Sequence, residues 1–179
     1  MIKKDDYAQV LDYLPNGYPL EGKMRPVVQA IGEQYLALLE LAPIRGATIS
    51  IKEKVYIGPE KRDKIYYIIG RLRVEKMTET AKIQLQEFIA SFVGEREQEF
   101  VKFFNNAQAI NTRLHQLELL PGFGRKHTQE ILDARVEKPF GSFEEIKQRV
   151  KSVPDPKKTI EKRIVEELTE NPRQRLFTN

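Results

Sequence analysis

The sequence predicts an α+β protein in which a small β-barrel precedes a helical connector and a four-helix domain. Three observations predict it. From Tyr7 to Met77, short apolar runs rich in Val, Ile and Tyr alternate with Gly and Pro punctuation, the pattern of strands and turns. From Thr80, apolar residues recur at three- and four-residue spacing, the period of a helix face. Beyond Ile110, glycines and prolines cut the same helical period into short pieces. The expected domains are residues 1–78, 79–109 and 110–179.

Five strands are expected in the first of these, at Tyr7–Leu14, Val27–Ile31, Tyr35–Ala42, Lys54–Ile57 and Lys64–Arg71. Turns separate them at Pro15-Asn-Gly17, around Gly32 and from Gly58 to Asp63. Tyr35–Leu41 also fits a helical turn by propensity. Five short strands in so short a span suit a small barrel, and the OB-like barrel is the common five-stranded solution. Leu85, Phe88, Ile89, Phe92 and Val93 then make one face of a helix that Gly94 interrupts. Phe100, Val101, Phe103, Phe104 and Ala107 repeat the pattern on a second helix, and phenylalanines at this spacing are packing residues.

Four short helices complete the chain, at 112–119, 126–134, 143–151 and 159–169. Ser142 followed by Glu145 is a capping box that fixes the third. Asn171-Pro172 closes the last, ahead of a polar tail expected to fray.

The 179 residues, 40% of them hydrophobic, are enough to bury a core without staples. No cysteine is present, which removes disulfides, thiolate zinc sites and cysteine nucleophiles. Residues 1–10 have no long apolar run behind their lysines, and no stretch elsewhere is long enough to span a bilayer, so a soluble, cytoplasmic protein without a membrane partner is expected. The net charge of +4 is a mild basic bias. Its excess lies toward both ends, with a slightly acidic middle, as two binding surfaces joined by a connector would give.

The most informative segment is Leu117 to Leu132, where Pro121-Gly-Phe-Gly124 sits between two amphipathic stretches. Gly122 and Gly124 permit a tight turn and leave no side chain over the amides that open the following helix. Those amides are then free to face a phosphate. Phe123 is expected to point inward with Leu120 and Ile131, while Arg125, Lys126 and Thr128 flank the nest as further phosphate donors. A tight connector between packed helices is the alternative.

Apolar-x-Gly-apolar-Gly before a polar helix start resembles the helix-hairpin-helix motif, which implies binding of a nucleic-acid backbone without base readout. Val153-Pro-Asp-Pro-Lys-Lys-Thr-Ile160 resembles a decayed second copy, with Asp155 and Lys157 in place of the glycines. Lys157 and Lys158 remain as candidate phosphate contacts there. Phe140-Gly-Ser-Phe-Glu-Glu-Ile146 resembles the linker between tandem units of this kind. As a whole, the layout and the segments Asp12-Tyr-Leu-Pro-Asn-Gly17 and Leu119-Leu-Pro-Gly-Phe-Gly124 resemble a family of uncharacterised archaeal proteins predicted to bind RNA. That resemblance implies an RNA-binding role near the ribosome or in rRNA maturation, and the preference for RNA over DNA rests on it.

An OB-like barrel would add a groove in which cations meet the backbone and aromatics meet bases. Lys52, Lys54, Lys61, Arg62 and Lys64 are the candidate cations, interleaved with Tyr56 and Tyr66 and followed by Arg71 and Arg73. Strand alternation should turn half of these tyrosines to the core.

No catalytic residue, metal site or cofactor is expected. The two histidines, His115 and His127, read as surface residues, and no two-metal carboxylate spacing, Walker lysine loop or nucleophile elbow is present. Asp133 stands at the distal end of its helix rather than where a helix-hairpin-helix glycosylase carries its aspartate. The expected function is non-enzymatic nucleic-acid binding. A DNA-binding accessory of repair or recombination and a protein-interaction scaffold are the alternatives.

Overall fold

The computed structural model describes residues 2–22 and 24–179; Met1 and Lys23, within the span expected to form the β half, lie outside the described residues. The architecture is α+β, an antiparallel five-stranded half-barrel followed by five α-helices. Its strands are β1 (Tyr7–Leu14), β2 (Val27–Gly32), β3 (Leu38–Pro43), β4 (Lys54–Tyr56) and β5 (Ile65–Arg71). They lie in the order β4-β1-β2-β3-β5, so β4 and β5 are the two edges of the sheet.

β2 is buried along its whole length, which is why its sequence, Val-Val-Gln-Ala-Ile-Gly, does not alternate. The one polar side chain in it, Gln29, is fully satisfied. Its amide donates to the carbonyl of Lys76 at 2.7 Å and to the Tyr18 hydroxyl at 3.2 Å, and its oxygen accepts from the Thr78 amide at 3.1 Å. Val10, Val28, Leu41, Val55 and Ile65 form the core beside it.

Between β2 and β3 the chain makes a turn rather than the expected early start of a strand at Tyr35. Asp5 accepts from the amides of Gln34 and Tyr35 at 2.7 and 2.8 Å, and Leu36 takes a positive φ of 58°. Gly32 admits this carboxylate: a Cβ there would stand 1.9 Å from Asp5 Oδ2. β3 begins only once those amides are satisfied.

Helix α1 (Glu79–Glu95) starts behind Thr78, whose hydroxyl accepts from the Ala81 amide at 3.0 Å and donates to Asp12 at 2.6 Å. Gly94 does not interrupt it. The helix runs past Gly94, whose bare backbone lies under the Lys157 side chain, and breaks at Arg96. Helix α2 (Glu97–Asn106) buries Phe100, Val101 and Phe104.

Three further helices follow, α3 (Arg125–Glu137), α4 (Phe143–Arg149) and α5 (Pro156–Glu170). The helix expected at 112–119 is absent. Ala109 and His115 form an isolated antiparallel bridge, and only a short 3-10 turn, Gln116–Leu119, follows. Asn111, whose side chain takes the Arg113 amide at 2.8 Å, and the Leu114 carbonyl, which takes the amides of Ile110 and Asn111, hold a loop where propensity alone favours a helix. Half of the expected capping box is present: Ser142 Oγ accepts from the Glu145 amide at 3.0 Å, but the Glu145 carboxylate takes the Gly141 amide at 2.8 Å instead of that of Ser142. That bond holds the Glu145 carboxyl below its usual range, helped by Arg149.

The compact units do not follow the expected boundaries. One comprises Met1–Glu87 with Leu168–Asn179, the other Phe88–Glu167. Phe100, Phe104 and their neighbours are core of the second unit rather than a separate connector, because Phe104 packs against Phe123 with ring centroids 6.2 Å apart. The tail expected to fray belongs to the first unit, with Arg175 Nη1 donating to the Thr178 hydroxyl at 3.2 Å.

Candidate nucleic-acid interface

Leu120-Pro-Gly-Phe123 is a tight turn closed by the Phe123 amide donating to the Leu120 carbonyl at 3.0 Å. Gly122 has φ of 79°, which with proline before it is the arrangement of a type II turn. A side chain at Gly122 would also crowd Pro154, at 3.1 Å from its Cβ. Gly122 is therefore a requirement of the fold.

Gly124 is different. Its φ of −110° and ψ of −168° are extended backbone that any residue adopts, and a Cβ there would meet nothing within 4 Å. No internal contact calls for glycine at this position, yet it is the residue that opens α3. The amides of Arg125, Lys126 and His127 in the first turn meet no acceptor among the described residues, as is usual of a helix start. His127 Nδ1 approaches the Gly124 amide at 3.4 Å, longer than a firm hydrogen bond, and its ring rests edge-on against Phe123.

The flanking residues separate into two groups. Arg125 and Lys126 are exposed; Arg125 lies 3.9 Å from Glu118, and Lys126 has no ionic partner among the described residues. Thr128 and Phe123 are buried and do not face a ligand. Thr128 donates its hydroxyl to the Gly124 carbonyl at 2.9 Å, and Phe123 closes the core beneath the turn with Leu120 and Ile131. Phe123 points inward as expected, and the Thr128 hydroxyl, expected among the phosphate donors, is engaged inside the turn.

Ahead of the turn, His115 caps the 3-10 segment. Its Nδ1 accepts from the Leu117 amide at 3.1 Å, while Glu118 takes the His115 amide at 2.7 Å. Burial and the nearby Arg135 lower the His115 pKa against the opposing pull of Glu118. The sequence reading missed this role, although His-x-x-Glu before an apolar run has the spacing of a cap.

The second copy is out of register with the expectation. Asp155, not Lys157, occupies the place that Gly124 has in the first: it directly precedes α5, and its carbonyl accepts from the Thr159 amide and hydroxyl at 3.0 and 2.8 Å, as that of Gly124 does from Thr128. Its carboxylate caps the helix by taking the Lys158 amide at 3.1 Å and lies 3.6 Å from Lys147. The carboxylate thus occupies the helix start that Gly124 leaves bare in the first copy. Lys157 is held internally, donating to the Ala90 carbonyl at 3.1 Å and pairing with Glu161, so only Lys158 remains exposed.

Most of the candidate cations in the half-barrel are also engaged. Lys52 pairs with Glu87 at 2.9 Å, Lys54 with Glu33 at 3.0 Å over the Tyr7 ring, and Lys64 with Glu53, while Arg62 Nε donates to the Gly58 carbonyl at 2.8 Å. Lys61 alone of this set is exposed without a partner among the described residues. Of the two candidate tyrosines, Tyr56 is half-buried, its hydroxyl accepting from the Glu60 amide at 3.1 Å, and Tyr66 is exposed; Tyr67 beside it is exposed as well, where bulges interrupt the pairing of β3 with β5. No group of His, Asp and Glu among the described residues is placed to hold a metal ion, and no described helix is long and apolar enough to cross a membrane.

Comparison with known proteins places the whole layout in one family. Residues 4–179 match the family model described as Protein of unknown function (DUF655). The uncharacterised protein MJ0038 of Methanocaldococcus jannaschii is 39% identical over 175 residues, which cover 98% of this chain and 79% of that protein. The crystal structure of Af1531 from Archaeoglobus fulgidus, assigned to the same family, superposes with a TM-score of 0.84 at 40% identity, covering 98% of this chain and all of the other. With the family model matching residues 4–179 and both relatives covering 98% of it, the chain belongs to the DUF655 family of uncharacterised proteins of archaeal origin.

Proposed function

We propose that the protein is a non-enzymatic, cytoplasmic nucleic-acid-binding protein, with RNA the preferred ligand, that grips the sugar-phosphate backbone at the start of α3. The observation that carries the reading is Gly124, a glycine that neither backbone strain nor internal crowding demands. A backbone phosphate brought against the first-turn amides needs such a bare approach, and the helix dipole favours its charge. Arg125 and Lys126 add exposed cations beside it.

In this reading the turn and its flanking segments are a helix-hairpin-helix whose first helix is reduced to the 3-10 turn, and the second copy is a structural partner. The half-barrel, five-stranded and open between β4 and β5, is OB-like. Because most of its candidate cations are engaged by neighbouring acids or a carbonyl, it contributes less to backbone affinity than the turn does. The preference for RNA rests on the resemblance of the layout to predicted RNA-binding proteins.

Charge reversal tests the reading. Arg125→Glu with Lys126→Glu should weaken binding by a similar factor for every sequence tried, since phosphate contacts carry no base identity. It should also flatten the dependence of log affinity on log salt by about two units if each side chain neutralises one phosphate. Unchanged affinity and slope would place the binding surface elsewhere.

A further inference from the structure

The edge strand β5 exposes four consecutive large apolar side chains: Tyr66 is 73% exposed, Tyr67 44%, Ile68 38% and Ile69 45%. They point to both faces of the strand, and the strand has a neighbour, β3, on one side only. Such an edge is a template for another strand, and soluble proteins normally blunt it with charge, proline, a covering element or bulges, of which β5 has the last alone. Here no charged residue or proline interrupts the run from Ile65 to Ile69.

Two bulges interrupt the ladder to β3. Pairing skips from Ile68 to Gly70 and from Tyr67 to Ile65, so Tyr66 and Ile69 stand opposite no residue of β3. Two aliphatic residues beside two tyrosines fit an apolar protein surface better than a row of bases, which stack on aromatics alone.

The charges of Arg71, at the end of the strand, and of Asp63, in the bend two residues before it, identify the partner. When β5 is laid antiparallel against itself about Tyr67, Tyr66 faces Ile68, Ile65 faces Ile69, and Asp63 faces Arg71, twice by symmetry. A shift of one residue in the summed register, with Tyr67 facing Ile68, would set Lys64 against Arg71 and is disfavoured by like charge. Asp63 and Arg71 are both exposed and have no ionic partner among the described residues.

We propose that β5 is the interface for a second copy of this chain, joined antiparallel about Tyr67 into a continuous sheet and locked by two Asp63–Arg71 pairs. The patch is small beside the roughly 1,200 Å² that stable interfaces bury, so the dimer should dissociate on dilution.

Sedimentation equilibrium of the full chain over a concentration series tests this, with thermal melts confirming that each variant is folded. A monomer–dimer equilibrium is expected, weakened at least tenfold by Ile68→Lys at an exposed position. Asp63→Arg and Arg71→Asp should each weaken it, and the double exchange should restore it. A monomer at every concentration would overturn the proposal, as would a dimer indifferent to Ile68→Lys or a double exchange that fails to rescue. So would a monomer in which nucleic acid crosslinks to Tyr66 or Tyr67. Gly124 variants should dimerise normally, so this interface and the nucleic-acid reading fail independently.

Discussion

Two glycines two residues apart have opposite reasons to be there, and that difference is measurable. Gly122→Ala forces a side chain into left-handed backbone and against Pro154, and should destabilise the protein by about 1–2 kcal/mol in denaturant melts. Gly124→Val puts a side chain into open space on extended backbone, and should change stability by less than about 1 kcal/mol, the scale of an N-cap preference. A large loss of stability at Gly124 would mean that the fold itself requires that glycine. Beside them, His115 ties the turn to pH. Its imidazole is held neutral in the folded chain by burial and by Arg135, so the unfolded chain takes up a proton first as pH falls below the ordinary value of 6.5. Stability should therefore fall as pH drops through the window beneath 6.5. The protonated ring also loses the acceptor that caps Leu117. His115→Asn, which retains a cap but does not titrate, should flatten the melting temperature over this range; an unchanged slope would rule out this histidine as the cause.

Among the elements, those whose character is local were legible and those set by tertiary partners were not. β1 has its expected bounds because Tyr7–Leu14 is bounded by turns and fits a half-buried strand. α3 and α4 begin within a residue of expectation because a tight turn and Ser142 mark their starts. The segment before the turn reads as a helix by composition, but the Leu114 carbonyl and His115 hold it as a bridge and a 3-10 turn. No periodicity reports such bonds. α5 shows the same limit, for aligning the prolines of its two hairpin-like segments set the second copy two residues out of register. The cap places Asp155 where Gly124 stands. Asp155→Ala should accordingly cost about 1 kcal/mol of stability as a lost cap, while leaving nucleic-acid affinity unreduced. Weakened binding in a normally folded Asp155→Ala protein would show that the second segment takes part.

For the whole molecule, strand and helix patterns revealed the class of the fold, and the resemblance of its layout and of two segments pointed to the family, but neither revealed how the chain is partitioned. Unit boundaries depend on which phenylalanines share a core and on where the tail returns, and both are long-range facts: Phe104 meets Phe123, and Leu168–Asn179 joins the unit that contains the half-barrel. The candidate site was legible in its glycines and its two exposed cations, whose chemistry follows from residue type. It was not legible in Thr128 and Lys157, whose polar groups are consumed by internal contacts. Fluorescence anisotropy of the intact protein with matched single- and double-stranded RNA and DNA, across a salt series and beside the Gly124→Val variant, tests the central claim most directly. The account predicts salt-sensitive binding that favours RNA and falls at least tenfold in the variant without loss of fold. Equal binding by parent and variant, or no binding to any of the four, would contradict it.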